Sequence, residues 1–209
     1  MTTTGMHSKT AALRSAPSPN HRAFLGQFVG RPAMIGAVAP SSRHLAHRVL
    51  EGLDLAHATA VLEFGPGTGA ITERLLPRLG PATKFVAIEL NPVMARSFHK
   101  RYPQVRLREE SVENARKICQ EEGIDGVDYI VCGLPWASFS DDLQNRLLDA
   151  TYDVLKPGGM LVSFAYHLGT WLPAGRRIRR KLESRFSSVR KSRSVWRNLP
   201  PAFVYRCVK

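Results

Sequence analysis

The sequence lacks the features of a disulfide-bonded scaffold, a zinc protein or a membrane-spanning protein. Its three cysteines, Cys119, Cys132 and Cys207, form no Cys-x-x-Cys pair and have no histidine at ligand spacing. This argues against a disulfide framework and a structural metal site, so we expect no metal. No apolar run approaches the roughly 20 residues that span a bilayer, and the N-terminus lacks the apolar core of a signal peptide. We therefore expect a cytoplasmic protein, soluble or attached to a membrane surface.

Acidic residues are also scarce, and the imbalance is concentrated at one end. The chain has 30 Lys and Arg residues against 17 Asp and Glu residues, which gives a formal net charge of +13. Residues 171–209 contain 12 basic residues and one acidic residue. Such a charge attracts an anionic partner, either nucleic acid or an acidic lipid surface. The alternative is a solvated face, because long arginine side chains cover apolar surface and keep proteins soluble.

The hydrophobic pattern divides the chain into three parts. Residues 1–20 are rich in Thr, Ser, Pro and Ala and predict a disordered tail. Within residues 21–56, apolar side chains four positions apart predict a short amphipathic helix over 21–31, which Pro32 ends. Residues 57–209 form the third and largest part, in which short apolar runs alternate with longer stretches of helical periodicity.

That alternation is typical of an α/β fold in which helices cover both faces of a parallel sheet. The predicted parallel strands are 60–64, 84–89, 105–109, 127–132 and 160–167. Two closing strands, of which the last is antiparallel, are predicted at 187–192 and 202–208. The predicted helices are 69–79, 92–101, 112–121, 141–155 and 173–183.

A cluster of glycines follows the first predicted strand, in the order Glu63-Phe-Gly65-Pro-Gly67-Thr-Gly69. Glycines let the backbone approach a ligand closely, and the first crossover of an open α/β sheet is where nucleotide-like ligands bind. Glu89 ends the next strand, 20 residues after Gly69, where a carboxylate can accept both ribose hydroxyls. The sequence therefore predicts a site for a nucleoside.

The acid before the glycines indicates which nucleoside binds. The Gly-x-Gly-x-Gly spacing differs from the Gly-x-Gly-x-x-Gly pattern that accommodates a pyrophosphate, and Glu63 would repel a phosphate. Its carboxylate can pair, directly or through water, with the ammonium of an amino acid. This indicates S-adenosyl-L-methionine (SAM), with S-adenosyl-L-homocysteine (SAH) as its product. The alternative, a dinucleotide binder, would need a turn that tolerates phosphate.

Three segments, VLEFGPGTGAITERLL, VAIEL and LKPGGMLV, together resemble class I SAM-dependent methyltransferases. The resemblance implies a Rossmann-like, mostly parallel seven-stranded sheet with an antiparallel last strand. It also implies that Leu90 binds the cofactor beside Glu89. Glu110, Ser111 and Val112 would hold the adenine, with the Glu110 carboxylate on the exocyclic amine and Val112 against the ring. The alternative is an ordinary helix N-terminus with a surface acid.

The corner after the fourth strand reads Cys132-Gly133-Leu134-Pro135-Trp136. It resembles the corner of methyltransferases that act on exocyclic amines, which begins with Asn or Asp where this chain has Gly133. The departure speaks against an adenine amine held by a side-chain amide. We predict that the carbonyls of Gly133 and Leu134, with the rings of Trp136 and Tyr166, form the catalytic acceptor site. Gly133 is also expected to contact the cofactor, and core packing is the alternative for the two rings.

From Phe24 onward the chain resembles bacterial phospholipid N-methyltransferases, which are relatives of the rRNA adenine dimethylases. The resemblance rests on FLGQFVGRPAMIGAVAPSS, the glycine motif, the GLPW corner and the closing VWRNLPPAFVYR. It implies methylation of a phosphatidylethanolamine-type amine at the inner face of the membrane. It further implies that residues 21–56 include a membrane-binding helix and a helical lid over the cofactor.

We therefore expect a peripheral membrane enzyme whose partners are a phospholipid substrate and an anionic membrane surface. The contacts would come from the basic segment 176–193 and from the 21–31 helix. One alternative is a methyltransferase of a soluble amine or of an rRNA adenine. RNA would explain the charge, but Gly133 and the lack of a further RNA-reading domain after the sheet count against nucleic acid. The other alternative is a non-catalytic cofactor-binding protein at the membrane surface.

Overall fold

The structure, a computed structural model, describes residues 41–209, in which seven strands alternate with helices. The predicted tail and the 21–31 helix lie outside the described residues. The strands are β1 (Ala60–Phe64), β2 (Lys84–Ile88), β3 (Arg106–Arg108), β4 (Val127–Cys132), β5 (Leu155–Tyr166), β6 (Ser188–Lys191) and β7 (Ala202–Val208). The α-helices are α1 (Arg43–Leu50), α2 (Thr72–Leu75), α3 (Pro92–Arg101), α4 (Ala115–Glu121), α5 (Asp141–Val154) and α6 (Pro173–Arg185). None of the described helices is long and apolar enough to cross a membrane.

The seven strands form one sheet in the order β3-β2-β1-β4-β5-β7-β6. The first five strands are mutually parallel, and β7 runs antiparallel to both of its neighbours. This confirms the predicted mostly parallel, Rossmann-like sheet with an antiparallel last strand. The chain reverses its direction of strand addition between β1 and β4, and open α/β sheets bind their ligands at such a point.

The two largest differences between the predicted and observed element boundaries have identifiable reasons. The predicted 69–79 helix is cut short, because Pro77 lacks an N–H and lies in a 3-10 turn that follows α2. Strand β5 starts five residues earlier than predicted, since Leu155 pairs with Val127 before an irregularity in the ladder. Regular pairing resumes at Tyr129 with Met160.

The core beside the site is built from the central strands and the first two helices. Helix α1 begins after Ser42, whose hydroxyl accepts the Leu45 N–H at 3.2 Å, and buries one face against the sheet. The buried cluster includes Leu45, Val49, Ile71, Leu75, Val61, Val162 and Val204. All five residues of β1 are buried, as expected for a strand covered on both faces. One of these five is Glu63, so the fold carries an ionisable group into its interior.

At the amino edge of the sheet, Asp128 ties β4 to the start of β1. Its carboxylate accepts the N–H groups of Thr59 at 2.8 Å and Ala60 at 2.9 Å, and the Lys156 ammonium lies 2.6 Å away. Partial burial acts to raise the pKa of Asp128, but the Lys156 pair and the hydrogen bonds outweigh it and lower the pKa below its usual value. The ionised carboxylate therefore stabilises the fold at neutral pH.

We predict that Asp128→Asn lowers the free energy of unfolding by about 1.5–3 kcal/mol at pH 7, the usual range for hydrogen bonds to a charged group. Because the folded pKa is depressed, this stabilisation is present above about pH 4 and is lost as the pH falls through the folded pKa. Urea unfolding at pH 7 and at pH 3 measures both effects. The control is Asp54→Asn, which removes an exposed carboxylate paired with His57. Equal losses in the two variants would contradict the prediction.

Candidate active site

The carboxyl ends of four parallel strands bring the predicted site segments to one edge of the sheet. Phe64, at the end of β1, is in register with Ile88 of β2 and Cys132 of β4, and Ile88 is in register with Arg108 of β3. The residues that follow these four positions therefore emerge at the same level. They are the glycine turn 65–69, Glu89 and Leu90, the 110–112 segment, and Gly133 with Leu134.

The glycine turn presents bare backbone to open space at its middle glycine, Gly67. Gly65, Gly67 and Gly69 have φ angles of +63°, +57° and +79°, which L side chains rarely adopt. A Cβ at Gly67 would meet no atom within 4 Å. The Gly67 N–H donates to the Glu89 carboxylate at 3.2 Å, so the turn is fixed to the end of β2. This geometry fits a cofactor that lies against the turn and fills the space where a side chain would stand.

Glu89 is buried, with 9% of its surface exposed, and each of its carboxylate oxygens is held by a backbone donor. One oxygen accepts from Gly67, and the other accepts the Asn91 N–H at 2.9 Å. Burial raises its pKa, and the hydrogen bonds from Asn91 and Gly67 oppose that rise. A carboxylate offers about four acceptor positions, so Glu89 can still accept from a ribose. Asn91 was not predicted, although Asn-Pro before a helical pattern is a helix-start signal.

Glu63 is more deeply buried than Glu89, with 2% exposed, and has a single side-chain partner. The Thr72 hydroxyl donates to it at 2.7 Å. Burial raises the pKa of Glu63 to about 7, the Thr72 hydrogen bond lowers it and nearby Glu89 raises it. Two neighbouring buried carboxylates favour a cationic ligand and disfavour a phosphate. Thr72 was not predicted, because its pairing with Glu63 depends on how α2 packs beside β1.

The predicted adenine segment is held by ion pairs. Arg108 donates to the Glu110 carboxylate at 2.7 Å, and the Asn114 amide donates to its other oxygen at 3.3 Å. The Ser111 hydroxyl accepts the Glu113 N–H at 3.2 Å, and Val112 is buried. The segment is therefore fixed at the end of β3. Its contact with adenine stays a prediction, and Arg108 is an orienting residue that the sequence did not reveal.

The corner after β4 lies directly against the glycine turn. The Gly133 N–H donates to the Phe64 carbonyl at 2.8 Å. A Cβ at position 133 would lie 2.7 Å from the Gly65 carbonyl oxygen, closer than real contacts allow. The Leu134 side chain covers Gly65. The structure thus explains why Gly133 replaces the polar residue of related corners: this backbone arrangement leaves no room for a side chain there.

Trp136 is a buried residue of this corner, with 5% exposed. Its indole N–H donates to Ser163 at 2.9 Å, and the Ser163 hydroxyl donates to the Cys132 carbonyl at 3.2 Å. The Gln144 amide donates to the Trp136 carbonyl at 2.7 Å and to the Ala174 carbonyl at 3.2 Å. Little of the ring is therefore open to a substrate. Its place in the acceptor pocket stays a prediction, to which the structure adds a packing role.

Tyr166 stands beyond the level of the other site residues. It lies three positions after Ser163, which is in register with Cys132. At a rise of 3.3 Å per residue it projects about 10 Å past the ends of β1 and β4. Its phenol is half-buried, and burial raises its pKa, so the phenol is neutral at pH 7. The structure thus places Tyr166 at the same edge as the cofactor segments, where it also packs against the core cluster beside the site.

The comparisons with known proteins agree with this geometry. Residues 61–159 match a family model described as a methyltransferase domain. An ornithine lipid N-methyltransferase from Singulisphaera acidiphila is 31% identical over 188 residues, which cover 88% of this chain and 93% of that protein. A ribosomal RNA small subunit methyltransferase A from Synechococcus sp. is 33% identical over 118 residues, 52% of this chain and 41% of that protein. The solved O-methyltransferase from Bacillus cereus in complex with SAH aligns over 94% of both chains, with a TM-score of 0.63 and 13% identity, a likeness of fold alone.

The pairing of Glu89 with ribose is testable by substitution. We predict that Glu89→Ala weakens SAH binding at least tenfold, about 1.4 kcal/mol, because two hydroxyls lose a charged acceptor. Titration calorimetry with the full chain measures the affinity. The matched control is Glu109→Ala, which removes an exposed glutamate near the end of β3. An unchanged affinity in Glu89→Ala would remove this residue from the cofactor site.

The raised pKa of Glu63 predicts a pH-dependent affinity. A bound ammonium stabilises the carboxylate, so binding releases a proton below about pH 7 and the affinity rises as the pH increases towards 7. The ligand keeps its own ammonium up to about pH 8. We expect SAH to bind about tenfold more weakly at pH 6 than at pH 7.5. Calorimetry at pH 6.5 in two buffers of different ionisation enthalpy counts the released proton.

The matched variant for this measurement is Glu63→Gln, which keeps the shape of the side chain but cannot ionise. Its proton release should fall to near zero, and its affinity should vary little between pH 6 and 7.5. If the variant released as many protons as the wild type, the titrating group would not be Glu63.

Proposed function

Because the chain belongs to the class I SAM-dependent methyltransferases, we propose that it methylates the amine head group of a membrane lipid. The observation that carries this proposal is the acceptor corner, where the contact between Gly133 and the glycine turn leaves backbone carbonyls as acceptors in place of a side-chain amide. The ornithine lipid N-methyltransferase of S. acidiphila, similar over nearly its whole length, supports the same class of substrate.

The cofactor, when bound, supplies a methyl group on a positively charged sulfur. The chain's own task is to place a neutral amine in line with that methyl, since positioning alone is worth roughly 7–11 kcal/mol in favourable cases. The Gly133 carbonyl, and the second lone pair of the Leu134 carbonyl, which already accepts the Trp136 N–H at 3.0 Å, would accept the N–H groups of the amine and so orient its lone pair. The ring of Tyr166 offers a face that tolerates the cation formed by methylation.

Phosphatidylethanolamine and ornithine lipids share the chemistry that this corner would recognise. Each presents an alkyl amine on a flexible head group, and each keeps its acyl chains in the bilayer. An rRNA adenine is the second candidate, suggested by the similar rRNA methyltransferases and by the net charge. Gly133 disfavours it, because no side chain at that position can hold the adenine amine.

The proposal predicts that label from radioactive SAM appears in lipid. The full chain is incubated with labelled SAM and detergent micelles of phosphatidylethanolamine or of ornithine lipid, and the products are separated by thin-layer chromatography. Parallel incubations contain phosphoethanolamine or 16S rRNA transcripts. We expect methylated lipid and at least tenfold less label in either alternative. Label in the rRNA with none in lipid would overturn the proposal.

The acceptor side is tested separately with Tyr166→Ala. We expect turnover on the lipid to fall at least tenfold, while SAH affinity stays within threefold of wild type, because Tyr166 projects about 10 Å beyond the level of the strand ends that carry the glycine turn. A matching loss of SAH affinity would instead identify Tyr166 as a residue that supports the cofactor site.

A further inference from the structure

The exposed large apolar side chains of the described chain share one edge of the sheet. They are Val93, Met94, Leu168, Trp171, Leu172, Trp196 and Leu199. Val93 and Met94 begin α3, just after β2 ends. The segment with Leu168, Trp171 and Leu172 follows the end of β5. Trp196 and Leu199 precede β7, which is antiparallel to β5 and therefore starts at that same edge. This is also the edge that carries the glycine turn and the acceptor corner.

The segment with Leu168, Trp171 and Leu172 lies next to the segment with Trp196 and Leu199, although 20 residues or more separate the two in sequence. The His167 N–H donates to the Pro201 carbonyl at 3.1 Å, and the His167 ring nitrogen lies 2.8 Å from the Ser194 hydroxyl. The His167 ring also stacks on Trp196, with 5.9 Å between centroids. We name residues 168–172 and 193–199 the apolar rim. The rim follows directly after Tyr166, on the strand end that projects furthest.

Unpaired positive charge lies within and beside this rim. Arg176, Arg193 and Arg197 are exposed, and none has a carboxylate partner among residues 41–209. Four other basic residues of the predicted 176–193 surface have acidic partners: Arg177, Arg179, Lys181 and Arg185. Helix α6 has 13 residues and so carries Arg185 about 20 Å from the helix start. Arg180, Arg190 and Lys191 of that surface are also exposed and have no carboxylate partner among the described residues. Arg176 and Arg193 are therefore singled out by their place at the rim and not by their unpaired charge alone.

We propose that the apolar rim, with Arg176, Arg193 and Arg197, docks onto an anionic lipid bilayer, an inference that rests on the proposed function. Tryptophan is favoured at the boundary between head groups and acyl chains, because its ring is apolar and its N–H is polar. Arginines beside it are attracted to the negative surface of the leaflet. Leu168, Leu172 and Leu199 add apolar area that enters the interface. Docking in this orientation turns the acceptor corner towards the head groups.

Bound lipid can be detected through the tryptophans themselves. The chain has three, of which Trp136 is buried while Trp171 and Trp196 are 76% and 75% exposed. The full chain is titrated with vesicles of phosphatidylethanolamine and phosphatidylglycerol whose acyl chains carry bromine. We expect quenching and a blue shift of the emission from the two exposed rings. The Trp171→Phe, Trp196→Phe double variant should lose most of the quenching, because the remaining tryptophan lies in the core.

Affinity for the same vesicles is measured by co-sedimentation. The rim variant replaces Arg193 and Arg197 with Gln and Leu199 with Ser, and we expect at least tenfold weaker binding with SAH affinity within twofold of wild type. The matched control, Arg179→Gln with Arg185→Gln, makes the same change in net charge further along α6. It should bind vesicles within twofold of wild type.

The outcomes separate the docking surface from the proposed function. If the rim variant binds vesicles as tightly as wild type, the proposed docking surface is wrong, even if lipid in detergent micelles is methylated. Equal losses in the rim variant and the charge control also overturn it, because net charge would then explain the binding. The docking proposal is also overturned if the wild-type protein binds RNA but not vesicles. If the rim variant loses its affinity for vesicles but wild type methylates no lipid in micelles, the docking surface is supported and the proposed function is wrong.

Discussion

The contact between the ends of β1 and β4 is the constraint on which the rest of the site depends. The Gly133 N–H is bonded to Phe64, and the Gly65 carbonyl lies so close to position 133 that only glycine fits. This contact fixes the cofactor turn and the acceptor corner relative to each other without any intervening side chain. In the proposed reaction, the geometry of methyl transfer would thus be set by main-chain atoms, which are the least mobile part of a packed sheet. Side chains are left to select the ligands.

The two buried glutamates select the ligand at a cost in folding stability. Glu63 and Glu89 lie inside the molecule, and no cationic side chain among the described residues pairs with either. An ionised carboxylate in such a place opposes folding unless hydrogen bonds or a counter-charge compensate. Thr72, Gly67 and Asn91 provide part of the compensation, and a cationic ligand would provide the remainder. Without a cationic ligand, the negative charge of the site is therefore only partly compensated. This favours the binding of SAM and disfavours the binding of phosphates.

Much of the fold was predictable because its signals are local. Residues 60–64 and 127–132 are short, mostly apolar runs interrupted only by Glu63 and by Asp128, as is typical of strands covered on both faces, and both strands were predicted to the residue. The glycine turn and Glu89 were also visible, since their spacing follows from one crossover. The partners of Glu63 and Trp136 were not predictable, because Thr72, Ser163 and Gln144 lie in other elements of the fold. The apolar rim was not predictable either, because it forms only when β7 pairs antiparallel to β5 and brings Trp196 beside His167.

The side-chain amide of Gln144 joins two parts of the molecule that the sequence separates. It is buried and bonded at once to the carbonyl of Trp136, in the acceptor corner, and to that of Ala174, in the first turn of α6. Because one rigid group makes both bonds, the corner and the helix that follows residues 168–172 cannot shift independently. Substitutions in the two places would therefore combine non-additively in their energies. In evolutionary terms, a change of acceptor at the corner would be constrained by the neighbouring surface, and the two would be expected to diverge together across related enzymes.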